Sequence, residues 1–262
     1  MKKILLGVFF ILSSIVFTKD TILVQGAMDI EVDTLVQALE KPQKEQVGAW
    51  TFWKGKIGDK DVIVSRTEVG IANAAASTTI GILKYSPTVI INQGTAGGHD
   101  PKLHAADIVL AKKIINMGAF RTEPKEYGIP SDQKDFLFFD VVQRIRDKEG
   151  NKVENESFSS DSKLMEIAKK INYKHGKVVE GTIGTADQWN RELERIKSLH
   201  EKYGTAAEEM ETSSVALVAK AFDIPFMGIR VLSNSEHNKE DFNPDTAVWC
   251  QEFTIDFIKN IK

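Results

Sequence analysis

Thr88-Val89-Ile90-Ile91-Asn92-Gln93-Gly94-Thr95-Ala96-Gly97-Gly98 is the stretch that decides the fold. Its first half is a short apolar run, as expected of a strand buried on both faces. Its second half is rich in glycine and reads as a loop at the strand's C-terminal end. Open α/β sheets bind ligands outside the C-terminal ends of their strands. Backbone N–H groups in such a loop can cradle an anion or a sugar hydroxyl. The segment lacks the Lys-Ser/Thr ending of a P-loop and the spacing of a dinucleotide fingerprint. A tight turn that admits close backbone approach is equally compatible with it.

Upstream, Thr21 to Gln25 repeats the pattern of a buried strand ending in a loop at Gly26-Ala27-Met28. Asp29 to Leu39 has helical spacing, with Val32, Leu35, Val36 and Leu39 on one face. Trp50–Ile57 and Lys60–Arg66 read as strands around a turn at Gly58-Asp59. Ala72 to Leu83 is a helix of small residues. Downstream, Asp107–Ile115, Lys177–Thr185 and Phe226–Leu232 read as strands. Ser162–Ile171, Glu192–Tyr203, Thr212–Phe222 and Thr246–Ile261 read as helices. Residues 121–160 read as a long surface excursion with one short strand. Strands alternating with helices imply a single α/β domain: a central twisted mixed sheet with helices on both faces.

The 262 residues are 42% hydrophobic and 27% charged, enough for one core. A net charge of −3 with no basic cluster argues against nucleic acid as a partner. Met1-Lys2-Lys3 followed by the apolar run Ile4–Phe17 has the form of a secretory leader. That run is short of the roughly 20 residues a membrane span needs. Residues 1–18 are therefore expected to be a signal peptide or an N-terminal anchor, and 19–262 the domain. The protein is expected to be exported, periplasmic or extracellular, and membrane-anchored where the leader is retained. The single Cys250 excludes internal disulfides and reads as a small buried hydrophobe.

Four further features could carry chemistry. Glu208-Glu209-Met210-Glu211 gathers three acids before an apolar helix. Buried together they would raise one another's pKa, while at a solvated helix N-terminus they would be favoured by the dipole. Arg230 ends an apolar strand and needs a partner, for which Glu31 beyond the first strand is a candidate. Asn234 follows in the same loop, 230–237. His99, His104, His175, His200 and His237 show no metal-ligand spacing, so no metal is expected and each reads as a surface or loop residue. No GxSxG elbow is present to support a serine hydrolase.

Five segments in order complete the pattern: Gly26–Glu31, Val69-Gly70, Ile91–Gly98, Glu209–Glu211 and Ile229–Asn234. Together they resemble the nucleoside phosphorylase/nucleosidase superfamily, in particular its 5′-methylthioadenosine/S-adenosylhomocysteine nucleosidase branch. The resemblance runs from about Thr21 to the C-terminus and is weakest across 121–160. It implies that Glu31 activates the attacking water, in a nucleophile pocket with Thr95 and Arg230. It implies that Glu211 grips the ribose hydroxyls beside Glu209, with Met210 packed under the sugar. Met28 and Phe242 would line the ribose 5′ side, and Trp189 would sit in the loop that presents backbone groups to the purine. A homodimer and a cofactor-free reaction follow from the same resemblance.

Asn234 departs from the branch, which carries Asp there to protonate N7 of the leaving adenine. An amide hydrogen-bonds but transfers no proton. Three outcomes stay open. Asp187 or Glu236 takes over as acid, the substrate is a 6-oxopurine nucleoside cleaved by hydrolysis or phosphorolysis, or the protein is a weakly catalytic exported nucleoside binder. Glu31 favours water over phosphate, because two anions would share one pocket.

Overall fold

The computed structural model describes residues 20–138 and 143–262. The expected leader, residues 1–18, lies outside them. Nine strands form the main sheet: β1 (Thr21–Gly26), β2 (Glu40–Val47), β3 (Trp50–Ile57), β4 (Lys60–Arg66), β5 (Val89–Gly98), β6 (Ile108–Asn116), β11 (Val178–Thr185), β12 (Thr205–Glu209) and β13 (Phe226–Asn234). Their order is β12-β11-β6-β13-β5-β1-β4-β3-β2. β5 pairs in parallel with β1 and β13, while β6–β13, β3–β4 and β2–β3 are antiparallel. β12 also pairs antiparallel with β5. That contact closes β5, β13, β6, β11 and β12 into a ring, from which β1, β4, β3 and β2 extend.

The helices are α1 (Asp29–Ala38), α2 (Ile71–Tyr85), α3 (Ser162–Ala168), α4 (Leu193–Tyr203), α5 (Thr212–Ala221) and α6 (Asp245–Asn260). Alternation along β1 shows why both faces are covered. Ile22 and Val24 join a core with Val32 and Leu35 of α1 and Phe253 and Phe257 of α6. Leu23 joins another with Ala74 and Ile82 of α2 and Val215 and Ala219 of α5. α2 buries Ala74, Ser77 and Thr78, small residues that bring the helix close to the sheet. Cys250 is fully buried in α6, as expected.

Three expectations change. The Gly-rich segment 93–98 and residues Ser233-Asn234 are not loops but the last residues of β5 and β13. Residues 121–160 hold two short antiparallel ribbons, β7 (Phe120–Thr122) with β8 (Phe136–Phe138) and β9 (Gln143–Arg146) with β10 (Lys152–Asn155). β2 and β12 had no apolar signature. β2 is exposed along almost its whole length, an edge strand protected by Pro42 and alternating charges. β12 carries Glu208 and Glu209 and is buried throughout.

Candidate active site

A cavity of about 420 Å³ opens where β1, β5, β12 and β13 end. Its walls include Met28, Glu31, Thr95, Gly97, Glu208, Met210, Glu211, Asn234 and Phe242. A larger open groove of about 1020 Å³ runs past Lys112, Glu180 and Asp223. Its carboxylates are taken by surface lysines, Lys112 on Glu180 and Lys148 on Asp223, and by the cap of α3 at Asp161. The acids with work to do are in the smaller cavity.

Glu31 lies in the first turn of α1, 4% exposed. Its Oε2 accepts from Ala27 N (2.9 Å) and Met28 N (3.2 Å), and its Oε1 from Thr95 N (2.7 Å) and Thr95 Oγ1 (2.9 Å). Three of these donors are fixed backbone groups. The fourth is a rotatable hydroxyl that can give up its lone pair to water. The approach requires Gly94, because a Cβ there would stand 2.7 Å from Glu31 Oε1. Glu31 and Thr95 therefore meet at the end of β5, side by side as the resemblance implied.

The expected Arg230–Glu31 ion pair does not form. Arg230 is 2% exposed and donates to Glu209 Oε2 (2.6 Å), Asn92 Oδ1 (2.7 Å) and the Ile229 carbonyl (3.0 Å). It stands behind the cavity wall rather than in it. Glu209 is the nearer carboxylate because β12 runs beside β5 and delivers the acid at short range. Glu209 is also a support: it accepts from Thr185 Oγ1 and from the N–H groups of Glu211 (2.9 Å) and Thr212 (2.8 Å). Glu211 is the acid left to the cavity. Its Oε1 accepts from Gly70 N (2.8 Å) and its Oε2 is 3.7 Å from Arg230 Nη2. Burial, reinforced by neighbouring Glu209, pushes its carboxyl up to about 8 despite Arg230.

Arg230→Leu is expected to cost about 3–5 kcal/mol, because it strands two buried carboxylates beside each other. Urea unfolding measures the loss. Adding Glu209→Gln to that variant should return part of it, and no return would show that Arg230 acts by packing alone.

At the far end of the cavity, Asn234 is 7% exposed. Ser233 Oγ donates to its Oδ1 (3.0 Å), and both Oδ1 and Nδ2 border the space over Gly97. Gly97, in register with Asn234 on β13 and with Glu208 on β12, keeps the space between them clear of side chains. Trp189 and Phe242 line the mouth, 69% and 44% exposed. The two acids that could replace an Asp at 234 are placed differently. Asp187 lies outside the cavity lining and accepts from Ile71 N (2.8 Å). Glu236 reaches the lining but is paired with Arg191 (2.8 Å).

One residue of the lining is not where sequence reading expects it. His99, expected on the surface, is 1% exposed, with Nδ1 at 2.9 Å from Thr205 Oγ1 and Nε2 at 3.4 Å from Glu208 Oε2. Period-two alternation along β5 places Thr95, Gly97 and His99 on one face. That would have found His99 had 93–99 been read as strand.

The chain is similar to known proteins over nearly its whole length. The model of the phosphorylase superfamily matches residues 21–261. The 5′-methylthioadenosine/S-adenosylhomocysteine nucleosidase of Shewanella pealeana is 33% identical over 226 residues, 85% of this chain and 90% of its own. That of Bacillus thuringiensis is 29% identical, over 92% of this chain and 99% of its own. The crystal structure of the Neisseria meningitidis nucleosidase with methylthio-immucillin-A superposes with a TM-score of 0.75 at 21% identity, over 92% of this chain and 100% of that one. A futalosine hydrolase of Helicobacter pylori superposes at 0.74 and 22%, over 92% and 98%. A sheet with one rim of acids, matched over nearly its full length by one superfamily, leaves a single assignment: this chain belongs to the phosphorylase superfamily, in the branch of the 5′-methylthioadenosine/S-adenosylhomocysteine nucleosidases.

Proposed function

We propose that this protein is a purine nucleosidase that hydrolyses the N-glycosidic bond of 5′-methylthioadenosine or S-adenosylhomocysteine, releasing adenine and a thioribose product. The observation that carries the reading is the pair of carboxylates at opposite roles in one cavity, Glu31 held ready by Thr95 and Glu211 facing the cavity on Gly70 N beside the Glu209–Arg230 pair. Cleavage passes through an oxocarbenium-like sugar. An ionised Glu211 at the ribose hydroxyls stabilises the positive charge that develops there. Glu31 takes the proton of the incoming water. The Asn234 N–H₂ donates to N7 of the base without protonating it, so the departing base takes its proton from solvent water and Glu31 returns the one it has taken to solvent.

Offering methylthioadenosine, S-adenosylhomocysteine, adenosine and inosine, with and without phosphate, tests the reading. Phosphate-independent release of adenine is the expected result, and release of no base from any of them would sink it. One observation favours a second reading. Asn at 234, where an Asp would supply a proton, can donate an N–H to the O6 or N7 acceptor of a 6-oxopurine, so inosine cleavage exceeding that of adenosine would select it. The exported location, by a cleaved or retained leader, and a homodimer belong to the same proposal. Mass spectrometry of the secreted protein's N-terminus and light scattering check them.

The Glu211 carboxyl sets a pH dependence. Its folded pKa near 8 lies above the unfolded value near 4.5. The folded state therefore holds a proton that the unfolded chain has released between these values. Stability is greatest below about 4.5 from this group and is lost as pH rises toward about 8. Over the same interval kcat/KM should climb, since only the ionised form assists the sugar. Melting curves and initial rates from pH 5 to 9 read both, and Glu211→Gln should flatten the stability slope.

A further inference from the structure

Trp189 is the most exposed aromatic side chain on the cavity wall, yet the residues on both sides of it are fastened. Asn190 donates its N–H to Glu208 Oε1 (3.0 Å) and its side-chain amide to Oε2. Gln188 Nε2 also donates to Oε2 (3.3 Å), and Arg195 of α4 donates to the Gln188 side-chain oxygen Oε1 (3.2 Å). Glu208 thus gathers a loop of three residues onto the sheet. Behind it stands His99, anchored on Thr205, with Nε2 at 3.4 Å from Glu208 Oε2.

This arrangement is not what packing alone requires. Glu208 and His99 are 7% and 1% exposed. His99 Nε2 lies near Glu208 but is not aligned for a hydrogen bond with it. Two well-packed apolar residues would fill the same wall with no desolvation to offset. Burial pushes the Glu208 carboxyl up, but His99 and Asn190 together hold it below the usual range. An ionised carboxylate is the acceptor that three loop N–H donors need.

The register gives the pair a functional position. Glu208 and Asn234 flank Gly97 on the two strands beside it. Strand spacing puts them about 10 Å apart, with the open space over Gly97 between them. A planar base lying there meets Asn234 on one side and the Glu208-held loop on the other.

We propose that Glu208, backed by His99, is a positioning residue that fixes the Gln188–Asn190 loop as the outer wall of the base pocket and so sets affinity for the purine. It acts through the loop and takes no proton from the reaction. The inference rests on the nucleoside-cleaving reading for the identity of the base.

The test compares the wild type with Glu208→Gln, with the apolar double variant His99→Leu/Glu208→Val, and with Asn190→Ala. Glu208→Gln turns a donor toward donors. The double variant removes the tether without stranding a buried charge. Asn190→Ala cuts the tether at a half-buried loop position where folding is not at stake. In all three, KM should rise about tenfold, the scale of one or two hydrogen bonds lost at a binding site. Inhibition by free adenine should weaken by the same factor, with kcat within about twofold. Unchanged KM and adenine inhibition in the double variant and Asn190→Ala overturn the proposal. So does a fall in kcat at constant KM, which would make Glu208 a participant in the chemistry. Calorimetric titration of adenine and hypoxanthine into the same proteins reads the base pocket without turnover. A wild type that binds base but cleaves no nucleoside refutes the hydrolase reading and leaves this one to the variants.

Discussion

Glu31→Gln is expected to lower hydrolysis by ~10²–10⁴-fold, the usual contribution of a positioned general base, with little change in KM. The amide has nearly the shape of the carboxylate, so the protein should fold and bind nucleoside as before. It differs in two ways that matter. It cannot take the proton of water, and its N–H₂ would face one set of donors, either Ala27 and Met28 or the two from Thr95. The first effect removes the base, and the second turns a four-donor cradle into a cradle with a clash. Single-turnover rates separate chemistry from product release. A variant that keeps more than about a tenth of the wild-type rate would mean that water is activated elsewhere and that Glu31 is a cap for the turn at Gly26–Met28.

The residues that carry this prediction differ in how legible they were. Glu31, Thr95, Met210 and Glu211 stood in order along the chain, and the structure brings them into one cavity. Arg230 was visible as a charge at the end of an apolar strand, but its partner was not. Which acid reaches it depends on β12 closing the ring against β5, a pairing far apart in sequence. β12 itself was invisible because its signal was inverted. Five buried residues that include two glutamates carry no apolar period. The same inversion hid His99, buried beside one of those glutamates. β2 was missed for the opposite reason: neither face is buried, so no periodicity records it. Helices with one apolar stripe, such as α1 and α6, were read to within a residue or two of their ends.

The inverted segments share a cause. A core strand with charged side chains is unfavourable unless each charge has a partner. Here the partners are supplied by neighbouring strands: Arg230 for Glu209, and His99 for Glu208. The stability lost locally is held by the two apolar layers on either side of the sheet. What that arrangement yields is two carboxylate environments a few residues apart. Glu208 is kept ionised by its partners, while Glu211 is pushed toward protonation by burial and by Glu209. Only the second can change charge near neutral pH, and it is the one facing the sugar.

The base end lacks such a group, and Asn234→Asp should supply it. Cleavage of adenine nucleosides is expected to rise by roughly 10²-fold, the low end of what a general acid contributes. The environment argues for an acid that holds its proton. The site is 7% exposed, and Glu208 lines the same cavity. Burial and a like charge both raise a carboxyl's pKa. The Ser233 hydroxyl opposes them, because it donates to the side-chain oxygen and so favours the ionised form. That opposition is why the low end is expected. Adding Ser233→Ala to Asn234→Asp should then increase the gain further. For inosine the direction reverses, since losing the amide N–H₂ removes the donor to O6. The adenosine-to-inosine ratio of kcat/KM is therefore the sensitive measurement. An unchanged ratio and an unchanged rate on methylthioadenosine would mean that departure of the base is not limited at N7. The barrier would then lie at Glu31 and Glu211, in forming and capturing the sugar cation.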